Sequence, residues 1–267
     1  MKLLFLTLAA VFLIGSTGVV QARDTRWEGV WQEKACGAPS STLISNGRSA
    51  IYFEYKFGAY SVTVGSAQFS KRLALVSSNG SNLAIQTSEF RKCNEADPEL
   101  QMWFGEVITI FLAYTDVEDI CADNGHSAKC LKAAFELFDV TGNGSLSRAE
   151  ISRGVRVAGF FAAYMGARTF AEASSGQTTL SVNAAEVSGS SVIANIVSPV
   201  LAQNMLASYD FDDDGSLSLN ELMTDRENVG PVELAKLIGD ATIQEIFEFG
   251  ANWILSMTGS LGTSFLR

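Results

Sequence analysis

The chain has 267 residues, 47% of them hydrophobic and 18% charged, so it has ample apolar material for a core and, at roughly 100–200 residues per domain, room for one or two. Asp and Glu number 29 against 19 Lys and Arg, a net charge of -10. That balance argues against nucleic acid as a partner, because phosphate contacts need a basic face, and makes cations and basic surfaces the expected company.

The first 22 residues read as an address. Lys2 is followed by an apolar run from Leu3 to Ile14, and Val20 and Ala22 precede a polar change at Arg23. This is the pattern of a signal peptide over residues 1–22, cleaved after Ala22. The run is shorter than the roughly 18 residues of a spanning helix, so the expected product is a secreted or periplasmic protein with no transmembrane segment after signal cleavage. Export changes how Cys36, Cys93, Cys121 and Cys130 read: an even number in an oxidising compartment points to disulfides. The favoured pairs are Cys36 with Cys93 and Cys121 with Cys130, the latter closing the polar stretch CADNGHSAKC. A zinc site from Cys121, His126 and Cys130 lacks a fourth ligand at ordinary spacing.

Residues 23–120 are rich in aromatic and β-branched bursts: RWEGVWQ, AIYFEYKF, AYSVTV, RLALVS, LAIQTS, ELQMWF and VITIFLAY. Turn-like Asn46-Gly47 and Asn79-Gly80 punctuate them, as in antiparallel β-domains. The expectation is a small antiparallel β-barrel or sandwich. Gly29-Val30-Trp31 resembles the G-x-W signature on the first strand of lipocalins, over a few residues only. That resemblance implies a small apolar ligand in a barrel mouth; the bland reading has Trp27 and Trp31 as core.

Beyond residue 120 the period becomes helical. Leu131, Ala134, Phe135 and Phe138 fall on one helix face and lead into DVTGNGSLSRAE, residues 139–150. A second stretch, DFDDDGSLSLNE, spans 210–221. Crowded carboxylates repel unless a cation sits among them. The two stretches resemble the EF-hand calcium-binding family, whose loop D-x-[DN]-x-[DN]-G-x₅-E coordinates from positions 1, 3, 5, 7, 9 and 12. Carried over position by position, the resemblance implies Ca2+ held by Asp210, Asp212, Asp214, Ser216 (through its carbonyl) and Glu221, with Gly215 at the turn. In the first loop it implies Asp139, Thr141, Asn143, Ser145 and Glu150, Thr141 being a departure because the family usually has an acid or Asn there. Leu146 and Leu217 share loop position 8, where paired EF-hands make a short β-contact. Phe135 and Leu206 each lie four residues before a loop, and Ile151 and Leu222 follow the two glutamates.

Ordinary pairs have a short linker, whereas here residues 151–209 intervene. The reading is one long helix up to the break at Ser174-Ser175-Gly176 and a further short element before the second loop's helix. VAGFFAAYMGA, bounded by Arg156 and Arg168, reads as buried core, with Gly159 and Ala163 suited to close helix packing; an exposed docking face for a protein partner is the sharper alternative. The tail from Pro231 places Leu234, Leu237, Ile238, Ala241, Ile246, Phe247 and Trp253 at amphipathic spacing.

Catalysis finds little support: His126 is the only histidine, and no nucleophile motif accompanies it. The acids Glu54 and Glu106 leave a calcium-dependent hydrolase as a distant alternative. Asn79-Gly80-Ser81 and Asn143-Gly144-Ser145 are N-glycosylation patterns, the second overlapping a loop ligand, which tilts the reading towards a bacterial source. The expected protein is therefore α+β, with a β-rich domain over 23–120 and an EF-hand domain over 121–267. It is a non-enzyme that binds calcium in a structural or regulatory role; the alternative is a ligand-binding small β-barrel stabilised by calcium.

Overall fold

The structure, a computed structural model, describes residues 23–78, 81–114, 117, 120, 128–176 and 180–227. The leader, the Asn79-Gly80 turn, Cys121, His126 and the amphipathic tail from Pro231 lie outside the described residues. The protein is α+β: an antiparallel sheet occupies the N-terminal half and helices follow. The chain divides into two compact units, one of residues 16–115 and 167–192, the other containing 116–166 and the chain from 193.

In the first unit a 3₁₀ turn, Thr25–Trp27, leads into β1 (Gly29–Gln32), β2 (Thr42–Ser45), β3 (Ser49–Lys56), β4 (Ala59–Phe69), β5 (Leu73–Ser78), β6 (Ser81–Gln86) and β7 (Arg91–Cys93). Their order is β6-β5-β4-β3-β2-β1-β7, every pairing antiparallel. The path ends at β6 and β7, so the sheet is open and the closed barrel expected from the sequence does not form among the described residues. Asn46-Gly47 does turn the chain: Gly47 has φ 87°, and Asn46 Oδ1 accepts from the backbone N–H groups of Arg48 and Ser49. Only glycine enters that left-handed region without strain.

Two bursts expected in the β-domain are not strands. ELQMWF and most of VITIFLAY form helix α1, Pro98–Ala113. The physical reason was available locally: Asp97 caps the helix through Glu99 N–H at 2.9 Å, and Pro98 stands at its first turn. Leu100, Phe104, Val107, Ile108 and Phe111 then recur at helical spacing and are all buried, each contributing roughly 1.5–3 kcal/mol through burial. Phe104 packs on Phe53 of β3, ring centroids 5.2 Å apart. Leu43, Ala50, Tyr52, Ala67, Ala74, Val76 and Ile85 form a cluster with Trp31 and Phe69 at its margin. Trp27 stacks on Phe69 and tilts against Trp31, so both tryptophans serve packing.

Cys36 and Cys93 are disulfide-bonded, as the sequence reading favoured, and join the β1–β2 connection to β7. Cys130 is also disulfide-bonded.

The other unit holds α2 (Ala128–Phe138), β8 (Ser145–Ser147), the first part of α3 (Arg148–Ser175), the later part of α4 (Ala184–Tyr209), β10 (Ser216–Ser218) and α5 (Leu219–Glu227). The expected long helix runs to Ser175 before Gly176, whose φ is 63°. After it comes a strand the sequence did not announce, β9 (Val182–Asn183), which pairs with Ser61 and Val62 of β4. The buried face of α2 is Cys130, Ala133, Phe135 and Phe138; Leu131 and Ala134 are only half-buried, so the face is rotated from the expected one. Val157, Phe160, Phe161 and Tyr164 are buried, in keeping with the core reading of VAGFFAAYMGA. A Cβ on Gly159 would lie 2.5 Å from that of Ala194, so glycine sets how closely α3 and α4 approach. By length and composition α4 is the one helix among the described residues able to cross a membrane.

Candidate metal centre

Two helix–loop–helix segments present the acidic stretches. In each, the residue opening the loop closes the last turn of the helix before it: Asp139 N–H donates to Phe135 O at 3.0 Å, and Asp210 N–H to Leu206 O at 2.9 Å. The chain then turns twice through left-handed conformations at equivalent places. Gly142 (φ 66°) and Gly144 (φ 82°) do this in the first loop, Asp213 (φ 58°) and Gly215 (φ 82°) in the second. These turns wind the backbone N–H groups inward around the opening aspartate. Asp139 accepts from Asn143 N–H at 3.2 Å and Gly144 N–H at 2.7 Å; Asp210 accepts from Asp214 N–H at 3.0 Å and Gly215 N–H at 2.9 Å.

The middle positions also correspond. Ser145 donates through N–H and Oγ to Asn143 Oδ1, at 2.9 and 3.1 Å. Ser216 does the same to Asp214 Oδ1, at 2.8 and 2.7 Å. In the second loop the carboxylates of Asp210, Asp212 and Asp214 each offer an oxygen within 4.8 Å of the others. The first loop has no such acid trio: Thr141 Oγ1 donates to Asp139 at 3.3 Å where the second loop has Asp212.

Crowding has an electrostatic signature at Asp212. A hydrogen bond from Asp214 N–H favours its charged form, but burial and the charges of Asp214, Glu221 and Asp210 outweigh it and push the group above the usual aspartate value. A cation between these groups removes that penalty.

Glu150 and Glu221 close the loops and are both buried. Burial works against their charge, yet hydrogen bonds from Ser147 and Thr141 hold Glu150 below the ordinary glutamate value, and those from Ser218, Phe211 and Asp212 do so for Glu221. Glu221 Oε1 accepts from Phe211 N–H at 2.8 Å, while Oε2 accepts from Ser218 N–H at 2.7 Å and Ser218 Oγ at 2.8 Å. Glu150 Oε1 accepts from Thr141 N–H at 3.0 Å, and Oε2 from Ser147 N–H at 2.8 Å and Oγ at 2.7 Å. In return Glu150 N–H donates to Ser147 Oγ and Glu221 N–H to Ser218 Oγ, at 3.3 and 3.2 Å. Each pair is a reciprocal S-x-x-E capping box opening α3 or α5. Ser147 and Ser218 were missed as site residues, although that spacing was visible in the sequence.

The loops lie side by side through β8 and β10, antiparallel with Leu146 opposite Leu217, both buried. The sequence placed these two leucines together. Of the other candidates, Glu54 is paired with Lys56 at 2.7 Å, and Glu106 sits on α1. A zinc site using Cys130 is excluded by its disulfide.

A divalent cation fits the donor set of residues 210–221. Asp210, Asp212 and Asp214 bring carboxylate oxygens within 4.8 Å of one another, and these are hard donors suited to such an ion. The arrangement can hold a hard ion. Comparison with protein-family models, curated proteins and solved structures finds no match to this chain.

Proposed function

We propose that this is an exported calcium-binding protein whose helical unit is an EF-hand pair, with Ca2+ held by Asp210, Asp212, Asp214, Ser216 and Glu221 and, more weakly, by Asp139, Thr141, Asn143, Ser145 and Glu150. The observation that carries the reading is the equivalence of the two loops: left-handed turns at the same two positions, the same hydrogen bonds to the opening aspartate, the same capping box and a β-pairing centred on Leu146 and Leu217. One acidic turn arises easily by chance; two with this shared geometry do not. The oxygen-only donor set favours calcium over softer metals, and flexible six-to-eight coordination suits it better than magnesium.

Export is supported by the Cys36–Cys93 bond and by the absence of a free cysteine among the described residues, since disulfides persist in oxidising compartments. The reading assigns no catalytic role. The ligand-binding alternative gains nothing from the sheet, which is open, or from a hollow of about 530 Å³ lined by Lys34, Ser88, Glu89, Phe90 and Arg91. Isothermal titration of calcium into the chelator-treated protein tests the proposal. Two binding events are expected, and heat no larger than dilution would overturn it.

A further inference from the structure

The hairpin between β3 and β4 carries a residue that folding does not explain. Lys56 pairs with Ala59, so only Phe57 and Gly58 form the turn. Their φ values are 54° and 79°, the pattern of a type I′ turn, for which Asn-Gly is the favoured sequence. A bulky residue at positive φ is a true outlier. Packing gives no return for this strain, because the Phe57 ring is entirely exposed, with a relative accessibility of 105%. The turn itself is firmly based: Tyr55 packs on Tyr60 at 4.9 Å, and Lys56 pairs with Glu54 at 2.7 Å. An unpacked aromatic held in a strained apex on a rigid stem points to a partner outside the chain.

Further apolar groups are exposed in the same unit. Phe53 of β3 contacts both Tyr60, at 6.5 Å, and Phe104 of α1, at 5.2 Å. Beside Phe104, Met102 and Trp103 point outward, 68% and 44% exposed. Three such side chains, at roughly 150–250 Å² for an aromatic, fall short of the roughly 1,000 Å² of a stable protein interface. A bilayer needs no complementary surface and accepts single rings additively. Aromatic rings with a lysine set behind them suit the headgroup level. The net charge of -10 disfavours an anionic surface.

We propose that the Phe57–Gly58 apex is a membrane-docking tip that inserts its ring into the interface of a zwitterionic lipid bilayer. The chain from Arg23 onward, freed of its apolar leader, is incubated with phosphatidylcholine vesicles and the bound fraction measured by flotation. Wild type is expected to bind. Phe57→Asn should lower partitioning at least tenfold while leaving the melting temperature equal or higher, because Asn suits the turn; a misfolded variant cannot give that combination. Phe57→Trp should retain binding and show a vesicle-dependent blue shift of its added emission. Absence of wild-type binding, or Phe57→Asn within twofold of wild type, would overturn the proposal. So would Phe57-dependent capture of a protein without any binding to vesicles.

Discussion

Replacing either loop-closing glutamate by glutamine tests the ranking of the two loops. Glu221 accepts from Phe211 N–H, Ser218 N–H and Ser218 Oγ, and Glu150 correspondingly from Thr141 N–H, Ser147 N–H and Ser147 Oγ. Glutamine puts an NH₂ donor where one oxygen was, so at least one backbone N–H faces a donor. Losing a charge-assisted bond of that kind costs about 1.5–3 kcal/mol, or roughly 3–12 °C in melting temperature for a chain of this size. Both variants should show this loss alike. Their calcium binding should differ. The second loop has four carboxylate ligands, Asp210, Asp212, Asp214 and Glu221, against Asp139 and Glu150 in the first, and ligand charge count tunes affinity in such loops. Glu221→Gln should therefore abolish the tighter phase of a calorimetric titration, weakening it by at least the 10–100-fold that loss of a mere supporting partner costs, about 1.4–2.7 kcal/mol. Glu150→Gln should spare that phase. If Glu150→Gln removes the tighter phase and Glu221→Gln leaves it, the charge-count argument is wrong.

Three other outcomes follow from the packing and the loops. A Cβ on Gly65 would collide with the Ser77 carbonyl where β5 crosses β4, so Gly65→Ala should destabilise by about 1–3 kcal/mol in a denaturant melt; an unchanged midpoint would refute the crossing. Gly159→Ala, which meets Ala194 at 2.5 Å, should lower stability, and Ala194→Gly should recover part of the loss; strict additivity in this double-mutant cycle would refute the contact. Metal-free stability should depend on acid with two opposite signs. Asp212 is raised in the folded state, so its protonation as pH falls through that raised value relieves repulsion and stabilises slightly. Glu150 and Glu221 lie below the ordinary glutamate value of 4.5, so their contribution is complete above it and is lost as pH falls through their folded values. Thermal melts from pH 6 to pH 3 should thus show a steep fall only below about 4.5, reduced in the Glu150→Gln, Glu221→Gln double variant.

What the sequence made legible was whatever local spacing controls. The loops are short, and the glycines Gly144 and Gly215 and the facing Leu146 and Leu217 sit at fixed offsets, so reading offsets was enough for them. The left-handed turn at Asp213 is harder to see, because only its counterpart Gly142 advertises it. VITIF misled because β-branched residues suit a strand, while the deciding signals, Asp97 and Pro98, lay ten residues upstream. β9 and the open path of the sheet depend on partners far away in sequence: Val182 pairs with Val62, and no local pattern encodes that choice. The Phe57 apex misled in the opposite way, since its aromatic character reads as continuing strand, and only the backbone reveals the turn.

For the proposed calcium sites, the same two glutamates bear on whether the ion staples this fold or switches it. A carboxylate has about four lone-pair sites, two on each oxygen. In both loops Oε2 accepts from the backbone N–H and the hydroxyl of the capping serine and is full. A bidentate grip on a cation needs a site on each oxygen, so Oε2 must release one donor. The serine hydroxyl is the donor it can release most cheaply, because Oγ–H can rotate towards water whereas a helix-start N–H has nowhere else to go. Released, Ser147 and Ser218 still accept from the N–H groups of Glu150 and Glu221, so the caps of α3 and α5 survive. The change demanded at Oε2 is thus a hydroxyl rotation at each helix start, with no melting of the helix. That is the behaviour of loops already shaped for their ion, and it favours a structural staple over a large conformational switch.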